Sequence, residues 1–228
     1  MLTKEQFAKM QDHSILEPYA TVGQIKNCCE ETLKYGFAAT YVNPSFVSYA
    51  KSIIGDKAMV GIPIGFPFGA NTTKIKIAEA LEGIENGADK LDIVSNINKI
   101  KSGDFIYVEN ELKEFCKIVK AKKPNIIVTV IIETCFLTHD EKIRACEIVR
   151  DSGADFIKTS TGTGPRGANI GDIRLMRKVC GNKVKIKAAA LFTGIEDVLA
   201  IIEEGASVIG DNSAIRWMEE WDKQLWFD

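Results

Sequence analysis

Two lysines and an aspartate stand inside otherwise apolar stretches of this chain, where charged side chains are rarely kept without a partner. Lys158 lies in ADFIKTSTGTG, directly behind Phe156 and Ile157. A lysine in a buried strand loses hydration, which lowers its pKa and favours the neutral amine. That amine is a nucleophile and condenses with a carbonyl to give a Schiff base. The plainer reading leaves Lys158 at a strand's wet end, its stem on the core and its ammonium in water. The small residues that follow, Thr159, Ser160, Thr161 and Gly162, leave room for a ligand.

Lys187 closes KVKIKAAA, where Lys183, Lys185 and Lys187 share one face of an extended strand. Alone this describes only a basic edge. If Lys158 and Lys187 occupy neighbouring strand ends, their like charges depress one pKa further and keep Lys158 a free amine near neutral pH. Asp92, in ADKLDIVSNIN, is a carboxylate in an apolar strand. A salt bridge to a lysine explains it structurally, and a proton shuttle for carbinolamine and aldol steps explains it functionally. Two lysines and an aspartate at strand ends suit carbonyl chemistry, not hydrolysis.

Other patterns carry less. His13 and His139 are the only histidines, and no G-x-S-x-G elbow accompanies them. They are too few to hold a catalytic zinc. Glu133 in VIIET reads as one half of a structural ion pair. Trp217, Trp221 and Trp226 have the spacing of one helical face and read as core packing or a subunit contact. The six cysteines show no C-x-x-C or zinc spacing and read as reduced thiols of a cytoplasmic protein.

The elements that must position these residues follow one rhythm. A charged amphipathic stretch ends at glycine and a β-type apolar run follows, as in LKYGFAATYV, IENGADKLDIV, RDSGADFIKTS and IEEGASVIGD. Glycine past a helix end takes the left-handed conformation that stops the helix. The apolar run suits a buried parallel strand. Further strands are expected at 58–65, 126–132 and 185–190, with a weaker one at 13–16, and crossover helices at segments such as 74–86, 107–120, 139–152 and 195–204. Eight strands in 228 residues leave about 28 per unit, enough for a single-domain (β/α)8 barrel over the whole chain. The rival doubly wound sheet would carry G-x-G-x-x-G after its first strand, and none occurs. With 29 basic against 31 acidic side chains, net charge is −2 and no general attraction to nucleic acid or anionic membrane is expected. No apolar run is long enough to span a bilayer, and MLTKEQFAKMQDH lacks a signal peptide's apolar region.

At these residues the chain resembles the deoxyribose-phosphate aldolase family, class I aldolases with a (β/α)8 fold. The resemblance runs from MQDHSILEP through GFAATYVNPSFV, IGFPFGANTTKIK, GADKLDIVSNINKIKSGD, VIIETCFLT and GADFIKTSTG to VKIKAAALFTG. It implies that Lys158 forms the Schiff base, Lys187 lowers its pKa and Asp92 relays protons. Asp12 would face the substrate hydroxyl, with Thr161 and Asn96 nearby. The implied reaction reversibly splits 2-deoxyribose 5-phosphate into acetaldehyde and glyceraldehyde 3-phosphate, with no metal or organic cofactor. The partner is a small aldehyde or sugar, and a homodimer is the default assembly.

The departures bear on the substrate tail. The family's usual K-A-S-G-G-I-R-T reads Lys187-Ala188-Ala189-Ala190-Leu191-Phe192-Thr193 here, so side chains at Ala190 and Leu191 crowd a backbone approach to phosphate. The usual I-G-T-S-S reads Ile209-Gly210-Asp211-Asn212-Ser213, placing a carboxylate beside any phosphate dianion. Thr129 replaces a usual lysine, Glu17 a frequent lysine and Tyr41 a common cysteine. Two versions follow. Gly162, Gly210 and Ser213 still hold a phosphate, or the tail site is rebuilt and Asp211 and Asn212 bind hydroxyls. A non-catalytic ligand-binding homologue is the reading from another class, and retention of Lys158, Lys187 and Asp92 argues against it.

Overall fold

The structure, a computed structural model, describes residues 2–189 and 191–224. Eight parallel strands close into a barrel in sequence order: β1 (Gln11–Ile15), β2 (Ala39–Val42), β3 (Met59–Ile64), β4 (Lys90–Val94), β5 (Ile127–Ile131), β6 (Phe156–Lys158), β7 (Lys185–Ala189) and β8 (Ala206–Asp211). The ring is sealed by parallel pairing of β1 with β8, with Asp12 aligned to Gly210. Helix α1 (Lys4–Lys9) precedes the barrel. The crossovers are α2 (Val22–Tyr35), α3 (Val47–Ile54), α4 (Thr73–Glu85), the pair α5 (Ile97–Lys101) and α6 (Phe105–Lys122), α7 (His139–Arg150), α8 (Ile170–Cys180) and α9 (Ile195–Glu203). After β8 the chain ends in α10 (Ala214–Gln224).

Local sequence explains these boundaries. Thr3, Thr21 and Thr138 open α1, α2 and α7 with reciprocal capping boxes, which satisfy backbone N–H groups the helix leaves unpaired. Gly36 ends α2 at φ 70°, a left-handed conformation costly for other residues, and turns the chain into β2. The expected strands are all present. The weak first one begins two residues earlier than read, at Gln11, which brings Asp12 into the sheet.

The core is the shell between strands and helices. Ile25, Ile54, Ile62, Leu112, Val149, Ile173 and Val198 are all essentially inaccessible there, and each such side chain contributes about 1.5–3 kcal/mol of transfer free energy. Trp221 stacks on Phe7 with ring centroids 4.7 Å apart, packing α10 against α1, and Trp217 is buried with Phe192 edge-on to it at 6.4 Å. Trp226 lies outside the described residues. The six cysteines are unpaired, five of them buried.

Inside the barrel the packing is charged and aromatic. Tyr41 of β2 projects into the interior against Gly61 of β3, where a Cβ would stand 2.4 Å from the Tyr41 ring. Gly61→Ala therefore should cost about 1–3 kcal/mol by overpacking, measured by urea unfolding. Restoring most of that loss by adding Tyr41→Cys would identify the ring as the cause, and an unaltered loss would refute it.

Candidate active site

Lys158 and Lys187 are register partners on β6 and β7, so their side chains point into the barrel at the same level. Lys158 is 6% exposed and Lys187 only 1%. Across the interior, β4 supplies Asp92. Its Oδ2 accepts hydrogen bonds from Lys158 Nζ at 3.0 Å and Lys187 Nζ at 2.8 Å. Lys187 Nζ also pairs with Asp12 Oδ2 of β1 at 2.8 Å. The Tyr41 hydroxyl donates to Asp92 Oδ1 at 2.7 Å, and the Tyr41 ring stacks 3.8 Å from Lys187 Nζ. Beneath them Lys90 Nζ reaches both Asp12 oxygens, at 2.7 and 2.6 Å.

Gly210 on β8 makes room for this arrangement. A Cβ there would stand 2.7 Å from Lys187 Cε and 3.7 Å from Lys158 Cε. Its lack of a side chain thus serves the lysine stems.

Charge counting decides which group gives up its proton. Three buried lysines face two aspartates, so full protonation leaves 3 − 2 = +1 in a dry interior. Burial works to lower Lys187, but Asp12 and Asp92 outweigh it and hold its pKa above the ordinary lysine value. Burial lowers Lys158 and outweighs the opposing pull of Asp92 and, more weakly, Asp12, and the Lys187 charge lowers it further. Lys158 is therefore pushed toward its neutral form while its register partner Lys187 is held charged. Desolvation is the larger cause and the neighbouring lysine a smaller one. Burial likewise lowers Lys90 against the pull of Asp12. On both aspartates burial pushes the pKa up, but the lysine charges win and hold Asp12 and Asp92 below the usual carboxylate range.

Acid sensitivity follows with a definite sign. Carboxylates depressed in the folded state contribute stability that is full above the unfolded aspartate pKa of about 4 and is lost as pH falls through their native values. The thermal midpoint should fall steeply once pH drops below about 4. A midpoint unchanged down to about pH 2 would contradict this charge assignment.

A cavity of about 800 Å3 opens beside Gly210, the residue packed against both lysine stems. Thr161, Gly162, Asp211 and Asn212 line it with Glu17, Phe46, Phe66 and Leu191. Asp211 is buried, and its Oδ1 accepts the Ser213 N–H at 2.7 Å. Burial raises its pKa above the ordinary carboxylate value. Ser213 thus meets Asp211, and its hydroxyl meets Asn212 Oδ1 at 3.2 Å. Asn212 in turn donates to Glu17 at 3.1 Å. Leu191 holds a left-handed φ of 62°, a conformation that favours glycine. Ala190 lies outside the described residues.

Several sequence expectations are corrected. Asp12 is a buried counter-ion, its oxygens engaged by Lys90 and Lys187 at the barrel's centre. Asn96 is not in the cavity wall: its side chain caps α5 by accepting the Lys99 N–H at 3.2 Å. Glu133 forms no ion pair among the described residues but accepts the N–H and hydroxyl of Thr161 at 2.9 and 2.5 Å, fixing the loop after β6. Thr129 is wholly buried and does not line the cavity. Lys185 is exposed at the start of β7, so only Lys187 of the alternating lysines belongs to the cluster.

Lys90 and Tyr41 went unread as site residues. Lys90 stands two residues before Asp92, on the same face of one strand, and that spacing was the available signal.

Fold and cluster define a barrel enzyme built to handle a carbonyl at a buried amine. Residues 5–212 match the family described as DeoC/LacD family aldolase. The chain belongs to this family and is an aldehyde-lyase of its class I type. It is 47% identical to a deoxyribose-phosphate aldolase of Caldanaerobacter subterraneus subsp. tengcongensis, covering 98% of this chain and 99% of that one. It is also 47% identical to one of Thermococcus gammatolerans, covering 93% and 95%. Among solved structures, "QR15, an Aldolase" superposes with a TM-score of 0.89 at 37% identity, covering 97% of this chain and 98% of that one. The tetrameric deoxyribose phosphate aldolase of Aeropyrum pernix gives 0.88 at 26%, covering 97% and 93%.

Proposed function

We propose that this chain reversibly cleaves a 2-deoxy sugar of the 2-deoxyribose 5-phosphate kind into acetaldehyde and a second aldehyde, with Lys158 as its Schiff-base residue. The observation that carries this is the buried Lys158 amine, pushed toward its neutral form, 3.0 Å from Asp92 and with its stem near Gly210, which lines an open cavity. Lys158 Nζ attacks the aldehyde carbon of the open-chain sugar, and the carbinolamine loses water to give a protonated imine. The β-hydroxyl releases its proton and the bond between the α- and β-carbons breaks. Its electron pair passes to the imine, leaving an enamine and freeing the second aldehyde. Protonation of the α-carbon and addition of water then return acetaldehyde and Lys158.

Asp92 touches Lys158, Lys187 and Tyr41 and is the group placed to carry these protons. Lys187, paired with both aspartates, keeps its charge and holds Asp92 in place. No helix among the described residues is long and apolar enough to cross a membrane. We read the enzyme as cytoplasmic, its thiols reduced, and as a homo-oligomer.

The test follows acetaldehyde release from 2-deoxyribose 5-phosphate and from 2-deoxyribose, by its NADH-dependent enzymatic reduction. Acetaldehyde should form in one-to-one amount with the second aldehyde and at the same rate with EDTA present. Absence of acetaldehyde from both sugars would overturn the proposal.

A further inference from the structure

Glu133 is a buried carboxylate to which the mechanism above gives no part. It follows β5, is 1% exposed and holds a left-handed φ of 51°. A residue other than glycine keeps that backbone only where its surroundings impose it, and such residues gather at functional sites. A carboxylate taken out of water also needs hydrogen bonds. Glu133 draws them mainly from the loop after β6. Its Oε2 accepts the Thr161 N–H at 2.9 Å and the Thr161 hydroxyl at 2.5 Å, and its Oε1 accepts the Cys135 thiol at 3.4 Å. Gly164, further along that loop, lets the chain lie this close. A Cβ there would stand 2.7 Å from Cys135 Sγ and 3.3 Å from Glu133 Oε1.

These bonds fix the direction of a chain of hydroxyls. A carboxylate only accepts, so the Thr161 proton goes to Glu133. The Thr161 oxygen is then an acceptor toward Thr163, taking its N–H at 3.1 Å and its hydroxyl at 2.9 Å. The Thr163 proton is thereby committed to Thr161, and the Thr163 oxygen keeps only lone pairs to offer. Thr163 is exposed and lines the cavity with Thr161 and Gly162. This wall matches a hydroxyl donor.

We propose that Glu133 is a positioning residue which, acting through Thr161, sets Thr163 Oγ1 as the acceptor for a hydroxyl group of the substrate. The inference rests on the aldolase reading above and names one contact of the same site. Glu133 governs how the sugar is held and leaves the condensation of Lys158 with an aldehyde carbon untouched.

The test compares two readouts on each preparation. One is the KM for cleavage of 2-deoxyribose 5-phosphate. The other is the rate at which borohydride traps acetaldehyde, which carries no hydroxyl, on Lys158. Glu133→Met keeps the length of the side chain without its acceptors and should raise the KM about tenfold, as should Thr163→Val. Trapping should stay within about twofold of native in both, because it needs only the amine. Glu133→Gln retains an oxygen acceptor and should return the KM to within about threefold of native. A KM unmoved in either Glu133→Met or Thr163→Val would overturn the inference. So would a Glu133→Met enzyme in which cleavage and trapping fall in the same proportion, the mark of a merely structural role. Failure of the aldolase reading looks different: the native enzyme then releases no acetaldehyde from the sugar, and the inference falls with it.

Discussion

Lys158→Ala should abolish turnover, lowering kcat/KM by about 10,000-fold or more while leaving the circular dichroism spectrum unchanged. The size follows from chemistry: without the amine there is no imine, and carbanion character at the α-carbon has no electron sink. A loss of four decades corresponds to roughly 5–6 kcal/mol of transition-state stabilisation. The fold should survive, because alanine removes the excess cation of a cluster in which Asp92 retains Lys187 and Tyr41 as partners. Lys187→Ala makes a sharp contrast. It strips Asp12 and Asp92 of a shared cation at 2.8 Å from each, so it should lower both stability and rate. Residual activity above about 1% in purified Lys158→Ala would refute the assignment of Lys158 as nucleophile.

Asp92→Asn should reduce kcat by about 100- to 10,000-fold, the range expected when a positioned proton-transfer group is lost. Its pH profile separates this role from a passive one. Asp92 is the carboxylate that raises the Lys158 pKa against burial, so its removal makes Lys158 neutral at lower pH. The ascending limb of kcat/KM should move toward acid while the plateau collapses. A purely structural Asp92 would lower the plateau through lost folded protein and leave the limb where it was. A variant with native kcat would contradict the proton-transfer role.

The parts of this account legible in sequence were those with local signatures. Glycine-ended helices followed by apolar strands fixed the order and number of barrel units, and the closed ring of eight strands bears that out. Lys158, Lys187 and Asp92 were conspicuous because ions in apolar strands are rare, and the barrel gathers all three at one point. What stayed hidden depends on closure. Asp12 and Lys90 lie 78 residues apart on β1 and β4, strands that meet only across the interior. The role of Asp12 as counter-ion to Lys90 and Lys187 was therefore not legible in sequence. The fit of Tyr41 against Gly61 is likewise a matter of interior volume, which periodicity does not encode. The local roles of Asn96 and Glu133 were hidden for another reason: a polar side chain at a strand's end can cap a helix or hold a loop as well as pair with a lysine.

The central claim is that one particular lysine of three forms the imine. Incubation with acetaldehyde and sodium borohydride, followed by peptide mass spectrometry, tests it most directly. The account predicts an N-ethyl group on Lys158 alone, with Lys187 held charged between two aspartates and Lys90 bonded to both oxygens of Asp12. A label on Lys187 or Lys90, or no label at all, would contradict it.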